Sequence, residues 1–283
     1  MSKEKPSVPR WLATSPLVPG PLDSPPPSGP VEAVFGARSR RGLLRSANDD
    51  HYLILRLGRH QETLLTSLPD NEIPERFDEY AYGMVVADGM GRAGETASRL
   101  AISTLVHLGI YFGKFHVRVD EPIAEEMVDR AQRFYRSIDS TLVKASQNSS
   151  SGLQSTLTAV YTAGNELFFA HVGRSRAYVF RDGELMQLTH DHTVILESPG
   201  RPALGKAGAA ARVDIERCGL LDGDTILLCT NGLTDMVKDA QIATVLESQG
   251  TPDEQSAALV DLAITAGGSD DVTALVAHYR FRP

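Results

Sequence analysis

A chain of 283 residues, 42% of them hydrophobic and 23% charged, carries enough apolar material for one large core and is not collagen-like, coiled-coil or wholly disordered. Its formal net charge of -8 and pI near 5.5 exclude a general nucleic-acid binder, which needs dense basic patches to neutralise phosphates. No apolar run is long enough to span a bilayer and the N-terminus lacks the basic-then-apolar order of a secretory signal, so a cytoplasmic protein with no membrane partner is expected.

The first 30 residues are rich in proline, including "SPPPSGP", and poor in large apolar groups. Such a composition buries too little surface to offset the entropy of ordering, so 1–30 reads as a flexible tail and 31–283 as the folded domain. "VEAVFGARS" and "HYLILRL" read as strands separated by the polar "RRGLLRSANDD". The charged, proline-containing stretch from Gly58 to Glu79 is expected to be an elaborated loop near the functional site. "YAYGMVVAD" is a further strand, and "ETASRLAISTLVHLGIYF" and "EPIAEEMVDRAQRFYRSIDSTLVKAS" are amphipathic helices. "STLTAVYT", "NELFFAHVG" and "SRAYVFRDGELMQLT", joined by "AGN", "GR" and "RDG", predict an antiparallel meander with hairpin turns. "DGDTILLCT" adds a strand, "DAQIATVLESQ" and "PDEQSAALVDLAITAG" add helices, and "DDVTALVAHY" closes the chain as a strand. Blocks of strands and helices, rather than alternating βαβ units, predict an α+β sandwich.

Cys218 and Cys229 fit neither a zinc spacing nor a Cys-x-x-Cys motif, so both are expected to be reduced, with Cys229 an inert buried thiol in "TILLCT". "HDH" at 190–192 has no third ligand at a zinc spacing and reads as structural hydrogen bonding.

The segment "VVADGMGRAGETAS", 85–98, poses the functional question. Gly89, Gly91 and Gly94 complete a G-x-G-x-x-G spacing between a strand and a helix, the context of a dinucleotide fingerprint. Yet the region about 20 residues on, where an acid should take the ribose hydroxyl, has none, and Asp88 would repel a pyrophosphate on the same turn. The competing reading makes Asp88 the working group, a carboxylate at a strand end beside a backbone carbonyl, offering hard oxygens to Mg²⁺ or Mn²⁺; the bland one makes it a helix cap or turn residue. "RSANDD" presents Asp49 and Asp50, and "GGSDDVT" presents Asp270 and Asp271, at two more strand entrances. Acids gathered at one sheet edge are costly without cations, and a divalent pair is a standard remedy at phosphate-cleaving sites.

Over 31–283 the sequence resembles the metal-dependent protein phosphatases, the PPM or type-2C family. The resemblance is carried in order by "RSANDD", "VVADGMGRAGETAS", "STLTAVY", "FFAHVGRSRAYVFRDGEL", "RPALG", "GDTILLCTNGLTDMV" and "GGSDDVT". It implies a four-layer α-β-β-α sandwich of two antiparallel sheets flanked by helices. It also implies two Mn²⁺ or Mg²⁺ ions per chain and hydrolysis of phosphoserine and phosphothreonine proteins by a metal-activated water. By position, Asp88 resembles the ligand bridging both ions, the Gly89 carbonyl and Asp49 belong beside one of them, and Asp50 touches metal or its water. Asp270 resembles a ligand of the other ion, and Arg45 the clamp for the substrate phosphate. The implied partners are a serine/threonine kinase or its substrates, and the chain is expected to be a monomer.

Three departures from the family pattern matter. Asn231 stands where an aspartate is usual, so an amide oxygen replaces a full charge and metal affinity should fall. Arg174 stands where an aspartate helps hold a third metal, so a third site is expected to be absent, with Arg174 folding toward Asp235, helping to hold substrate phosphate, or pointing to water. The segment from Asp191 to Pro202 is short where relatives insert a flap. With Asn231 and Arg174 both changed, a pseudophosphatase that binds phosphoproteins without turnover is the alternative.

Overall fold

A computed structural model of the chain describes residues 31–69, 72–116, 119, 121–147, 152–192, 203–206 and 212–281. The proline-rich segment 1–30 and most of the short stretch ending at Pro202 lie outside these residues.

The strands are β1 (Val31–Arg40), β2 (Asp50–Glu62), β3 (Arg76–Met90), β4 (Gln154–Ser155), β5 (Leu157–Ala163), β6 (Glu166–Val172), β7 (Arg176–Arg181), β8 (Glu184–Gln187), β9 (Asp214–Gly219), β10 (Thr225–Cys229) and β11 (Val272–Phe281). The helices are α1 (Gly94–Phe112), α2 (Glu121–Gln147), α3 (Asn231–Thr234), α4 (Asp239–Glu247) and α5 (Pro252–Thr265). One sheet runs β1-β11-β10-β7-β8 and the other β2-β3-β5-β6-β9, with β4 pairing with β3. Neighbouring strands pair antiparallel throughout.

The strand period of two sorts side chains into layers. Tyr82, Met84 and Val86 of β3 meet Ile226, Leu228, Leu275 and Ala277 of the other sheet in the central core. The alternate residues Val85 and Ala87 face outward onto Ala97, Ala101, Tyr135 and Ile138 of α1 and α2. On the opposite outer face, Leu227, Ala274 and Val276 pack on Ile242, Leu259 and Ala263 of α4 and α5. The four expected layers are therefore present, each strand's alternation serving two cores at once. α5 begins with a capping box readable from "TPDE": Thr251 Oγ1 accepts from the Glu254 N–H at 3.3 Å, and Glu254 Oε2 accepts from the Thr251 N–H at 2.8 Å.

Two expectations are corrected. The stretch Gly58–Glu79 is not a loop throughout, because β2 continues to Glu62 and β3 starts at Arg76. This projecting hairpin is held by its polar groups: Arg59 pairs with Glu79 and His60 hydrogen-bonds Asp78, both in register, and Arg56 lies over the Tyr80 ring. Cross-strand pairs of opposite charge stabilise a solvated ribbon as apolar pairs stabilise a buried one, so a polar sequence concealed a strand.

The second correction concerns "GR". β6 and β7 are not hairpin neighbours in one meander, since β6 belongs to the sheet with β5 and β7 pairs with β10 and β8 in the other. The chain crosses between sheets at 173–175. Gly173 has φ 115°, and a Cβ there would sit 2.5 Å from Thr156 Cγ2, so only glycine passes.

Candidate active site

The end of β3, the start of β2, the end of β10 and the start of β11 all lie at one end of the sandwich, because antiparallel neighbours bring alternate strand ends together. Asp50 and Asp88 are register partners on β2 and β3, 5% and 6% exposed. Asp50 Oδ2 accepts hydrogen bonds from Thr230 Oγ1 at 2.7 Å and Thr273 Oγ1 at 2.8 Å, which join the two sheets. Asp50 Oδ1 is buried without a hydrogen-bond partner among the described residues. Burial first, then the facing Asp88 charge, pushes the Asp50 pKa well up, against the hydroxyl hydrogen bonds that favour its ionised form.

Asp88 is fixed through its backbone. Its N–H donates to Thr156 Oγ1 at 2.9 Å, and its carbonyl accepts from the Thr156 N–H at 2.9 Å. Behind it Thr156 and Ser175 share a hydroxyl hydrogen bond of 2.8 Å. Gly89 follows where a Cβ would lie 1.9 Å from the Gly94 carbonyl oxygen, so the glycine spacing lets the turn fold against the start of α1. Asp49, not Asp88, caps that helix: its Oδ1 accepts from the Glu95 N–H at 2.9 Å. Burial raises the Asp49 pKa, offset in part by that hydrogen bond.

Arg45 donates from Nε to Asp270 Oδ1 at 2.7 Å and lies 3.8 Å from Asp271 Oδ2. Burial pulls its pKa down, but the Asp270 charge and hydrogen bond, then Asp271 and Asp88, outweigh it and leave it raised. Asp271 is buried and ties the loop, accepting from the Gly42 N–H and the Asp49 N–H at 2.9 Å each. Arg41 adds Nη1 hydrogen bonds to the carbonyls of Arg45 and Ser46.

Asn231 is buried at the start of α3 and donates from Nδ2 to Asp235 Oδ2 at 3.1 Å. Arg174 forms an ion pair with Asp235, one of the three orientations expected for it. In "HDH", Asp191 takes both Nε and Nη2 of Arg176, and His192 Nε2 lies 3.0 Å from Asp214 Oδ2, which is hydrogen bonding as expected. Burial pushes the Cys229 thiol up to about 12, in keeping with an inert group.

Of the sequence-stated candidates, Arg45, Asp49, Asp50, Asp88, Gly89 and Asp270 come together through these contacts, and Asn231 follows directly on the Asp50 partner Thr230. The reading from residues alone missed Thr156, Thr230 and Thr273. Each is a hydroxyl at or beside the end of an apolar strand, a position that β propensity alone already explains, so no separate signal marked them.

The residues suit hard cations. The orphaned Asp50 oxygen, two facing buried carboxylates and oxygen-only donors need positive charge between them. Among the described residues no group of three or more His, Cys, Asp or Glu forms a metal cage. A Mg²⁺-type site that keeps several waters does not require one.

Residues 75–261 match the family model "Protein phosphatase 2C". The chain belongs to the protein phosphatase 2C family. That match stops short of Arg45, Asp49, Asp50 and Asp270, which only the fold brings to Asp88. The serine/threonine protein phosphatase PstP of Mycobacterium tuberculosis (strain ATCC 25618 / H37Rv) is 33% identical over 266 residues, covering 86% of this chain and 44% of PstP. The chain thus spans less than half the length of that relative. Among solved structures, the S. agalactiae serine/threonine phosphatase superposes with TM-score 0.69 at 25% identity, over 87% of this chain and 99% of that one. The catalytic domain of PstP in complex with two manganese ions superposes with TM-score 0.66 at 28% identity, over 88% and 99%. These comparisons bear out the family and the sandwich expected from the motifs. No described helix is long and apolar enough to cross a membrane.

Proposed function

We propose that residues 31–283 form a metal-dependent serine/threonine phosphoprotein phosphatase unit with two Mn²⁺ or Mg²⁺ ions at the shared end of its sheets. The reading rests on one observation above all: Asp50 and Asp88, buried and in register, stand at the same sandwich end as the Arg45–Asp270 pair. Asp88, Asp50, Asp49, the Gly89 carbonyl, Asp270 and the Asn231 amide oxygen would hold the ions. Bound there, such ions offset the carboxylate charge and lower the pKa of water enough for it to attack phosphorus near neutral pH.

The chain's own groups do the rest. Arg45 has one face on Asp270 and further N–H donors to orient a phosphate, with a charge that never titrates away. The Thr230 and Thr273 hydroxyls fix Asp50, and Thr156 fixes the backbone of Asp88, so the carboxylates are held before substrate arrives. The Arg174 guanidinium on Asp235 supports a centre without a third ion. The PstP relative and its manganese-bound catalytic domain support the same chemistry and phosphoserine and phosphothreonine proteins as substrates; a kinase or its targets are the partners this reading proposes. A cytoplasmic monomer fits this reading.

The test is hydrolysis of p-nitrophenyl phosphate and of a phosphothreonine peptide with Mn²⁺ titrated to millimolar levels, native chain against Asp88→Ala. Metal-dependent turnover lost in the variant is expected. Asn231, a buried amide that brings no charge to the centre, favours the second reading, a phosphoprotein-binding module. Peptide binding with no metal-dependent turnover would establish that reading instead.

A further inference from the structure

We infer that Arg174 is a positioning residue for Asn231, acting through Asp235 to decide which atom of the Asn231 amide faces the metal centre. The inference rests on the metal-dependent reading above. Asp235 has two carboxylate oxygens and each has one side-chain partner: Oδ1 takes Arg174 Nη2, and Oδ2 takes Asn231 Nδ2. An ionised carboxylate carries no hydrogen, so the amide atom against it has to be the nitrogen. In a planar amide the oxygen then occupies the other branch, directed away from Asp235. That oxygen is the amide atom left to face a cation.

Arg174 is what keeps this choice fixed. Its contact pins a carboxylate whose side chain is 35% exposed and otherwise able to turn to water. With Asp235 turned away, either face of the amide can point at the centre, and the N–H face repels a cation. The arginine itself comes from the crossing between sheets at 173–175, next to the Gly173 position that only glycine can pass. A conformational device in one sheet connection therefore reaches a side chain at the end of β10.

The sign of the effect separates this role from simple charge. As a nearby cation, Arg174 would weaken metal binding, and its removal would tighten it. As a positioning residue, its removal weakens binding.

The experiment is calorimetric titration of the metal-free full-length chain with MnCl₂, with no substrate present and the melting temperature recorded for each variant. Arg174→Ala is expected to lose about tenfold in Mn²⁺ affinity, with Arg174→Lys recovering most of it. Asp235→Ala should lose a similar amount, with no further loss when combined with Arg174→Ala. In an Asn231→Ala background, Arg174→Ala should change affinity by less than about twofold. Tighter binding in Arg174→Ala, or an equal loss with and without Asn231, overturns the positioning role while leaving the metal centre standing. A native chain that takes up no Mn²⁺, or whose uptake ignores Asp88→Ala, overturns the metal centre and this inference with it.

Discussion

Asp50 and Asp88 face each other across β2 and β3 as two buried carboxylates, and Asp50 is further tied to the other sheet by the Thr230 and Thr273 hydroxyls. Like charges placed this way cost stability in the metal-free chain. Asp50→Asn keeps an oxygen for both threonines and removes the charge opposite Asp88. We expect it to stabilise the metal-free chain by about 1 kcal/mol in urea unfolding while lowering Mn²⁺ affinity. A variant no more stable than the native chain would show that the pair costs nothing.

Asn231→Asp tests the missing charge from the other side. The new carboxylate would stand against Asp235, so the metal-free chain should lose about 1 kcal/mol. Titration with Mn²⁺ should show tighter binding, because a charged oxygen replaces an amide one. Unchanged affinity would remove Asn231 from the ligand set.

Arg45→Lys separates charge from shape. Lysine keeps the charge but offers a point donor, which cannot hold Asp270 and a phosphate together as a planar fork does. The expected result is a KM for p-nitrophenyl phosphate raised by roughly tenfold with a smaller change in kcat. An unaltered KM would make Arg45 only the tie between its loop and Asp270.

Two glycines should respond in opposite directions to the same methyl group. Gly89→Ala drives a Cβ into the Gly94 backbone, so the turn has to open, and stability should fall by about 3 kcal/mol with loss of metal uptake. Gly109→Ala, in α1 with nothing near the added carbon, should gain about 0.5–1 kcal/mol from helix propensity and reduced freedom of the unfolded chain. Thermal melts of the two variants check both signs.

His171 sets an acid limit on stability. Its Nε2 lies 3.0 Å from the Gly173 carbonyl, which can only accept, so Nε2 carries the hydrogen and Nδ1 accepts from Thr158 Oγ1 at 2.7 Å. Burial first, then the neighbouring His192, lowers its pKa from 6.5 to about 4. The unfolded chain therefore binds the proton more readily, and stability falls as pH drops from about 6.5 to about 4, by about 3 kcal/mol in all. His171→Gln keeps a donor for Gly173 and should flatten that window in urea unfolding at pH 7.5 and pH 5. An unchanged slope would assign the acid sensitivity to other groups.

Much of the architecture was legible because it follows from periodicity. The near-continuous apolar runs of β3, β10 and β11 marked them as strands, and "PDEQSAALVDLAITAG" marked α5. The candidate acids were legible as charges at strand entrances. What stayed hidden depends on partners distant in sequence. The Arg59–Glu79 and His60–Asp78 pairs make a strand from residues that look like a loop. The charged β9, "DIERCG", lies at a sheet edge, where one face needs no apolar residues. The crossing at Gly173 needs Thr156 to reveal it, and Asp49 reads as a ligand candidate until the Glu95 N–H shows that it also caps a helix.

The pairing of β1 with β11 runs from Val31 against Phe281 to Arg40 against Val272. Arg40 and Val272 open onto the loops that carry Arg45 and Asp270, so Val31 and Phe281 lie side by side at the opposite pole of the sandwich. A module joined through either of these residues is thereby anchored remote from the acids, and both attachment points share one small patch. The architecture can be tethered from behind, like a lamp on a bracket, with the end that carries the acids turned away from the tether.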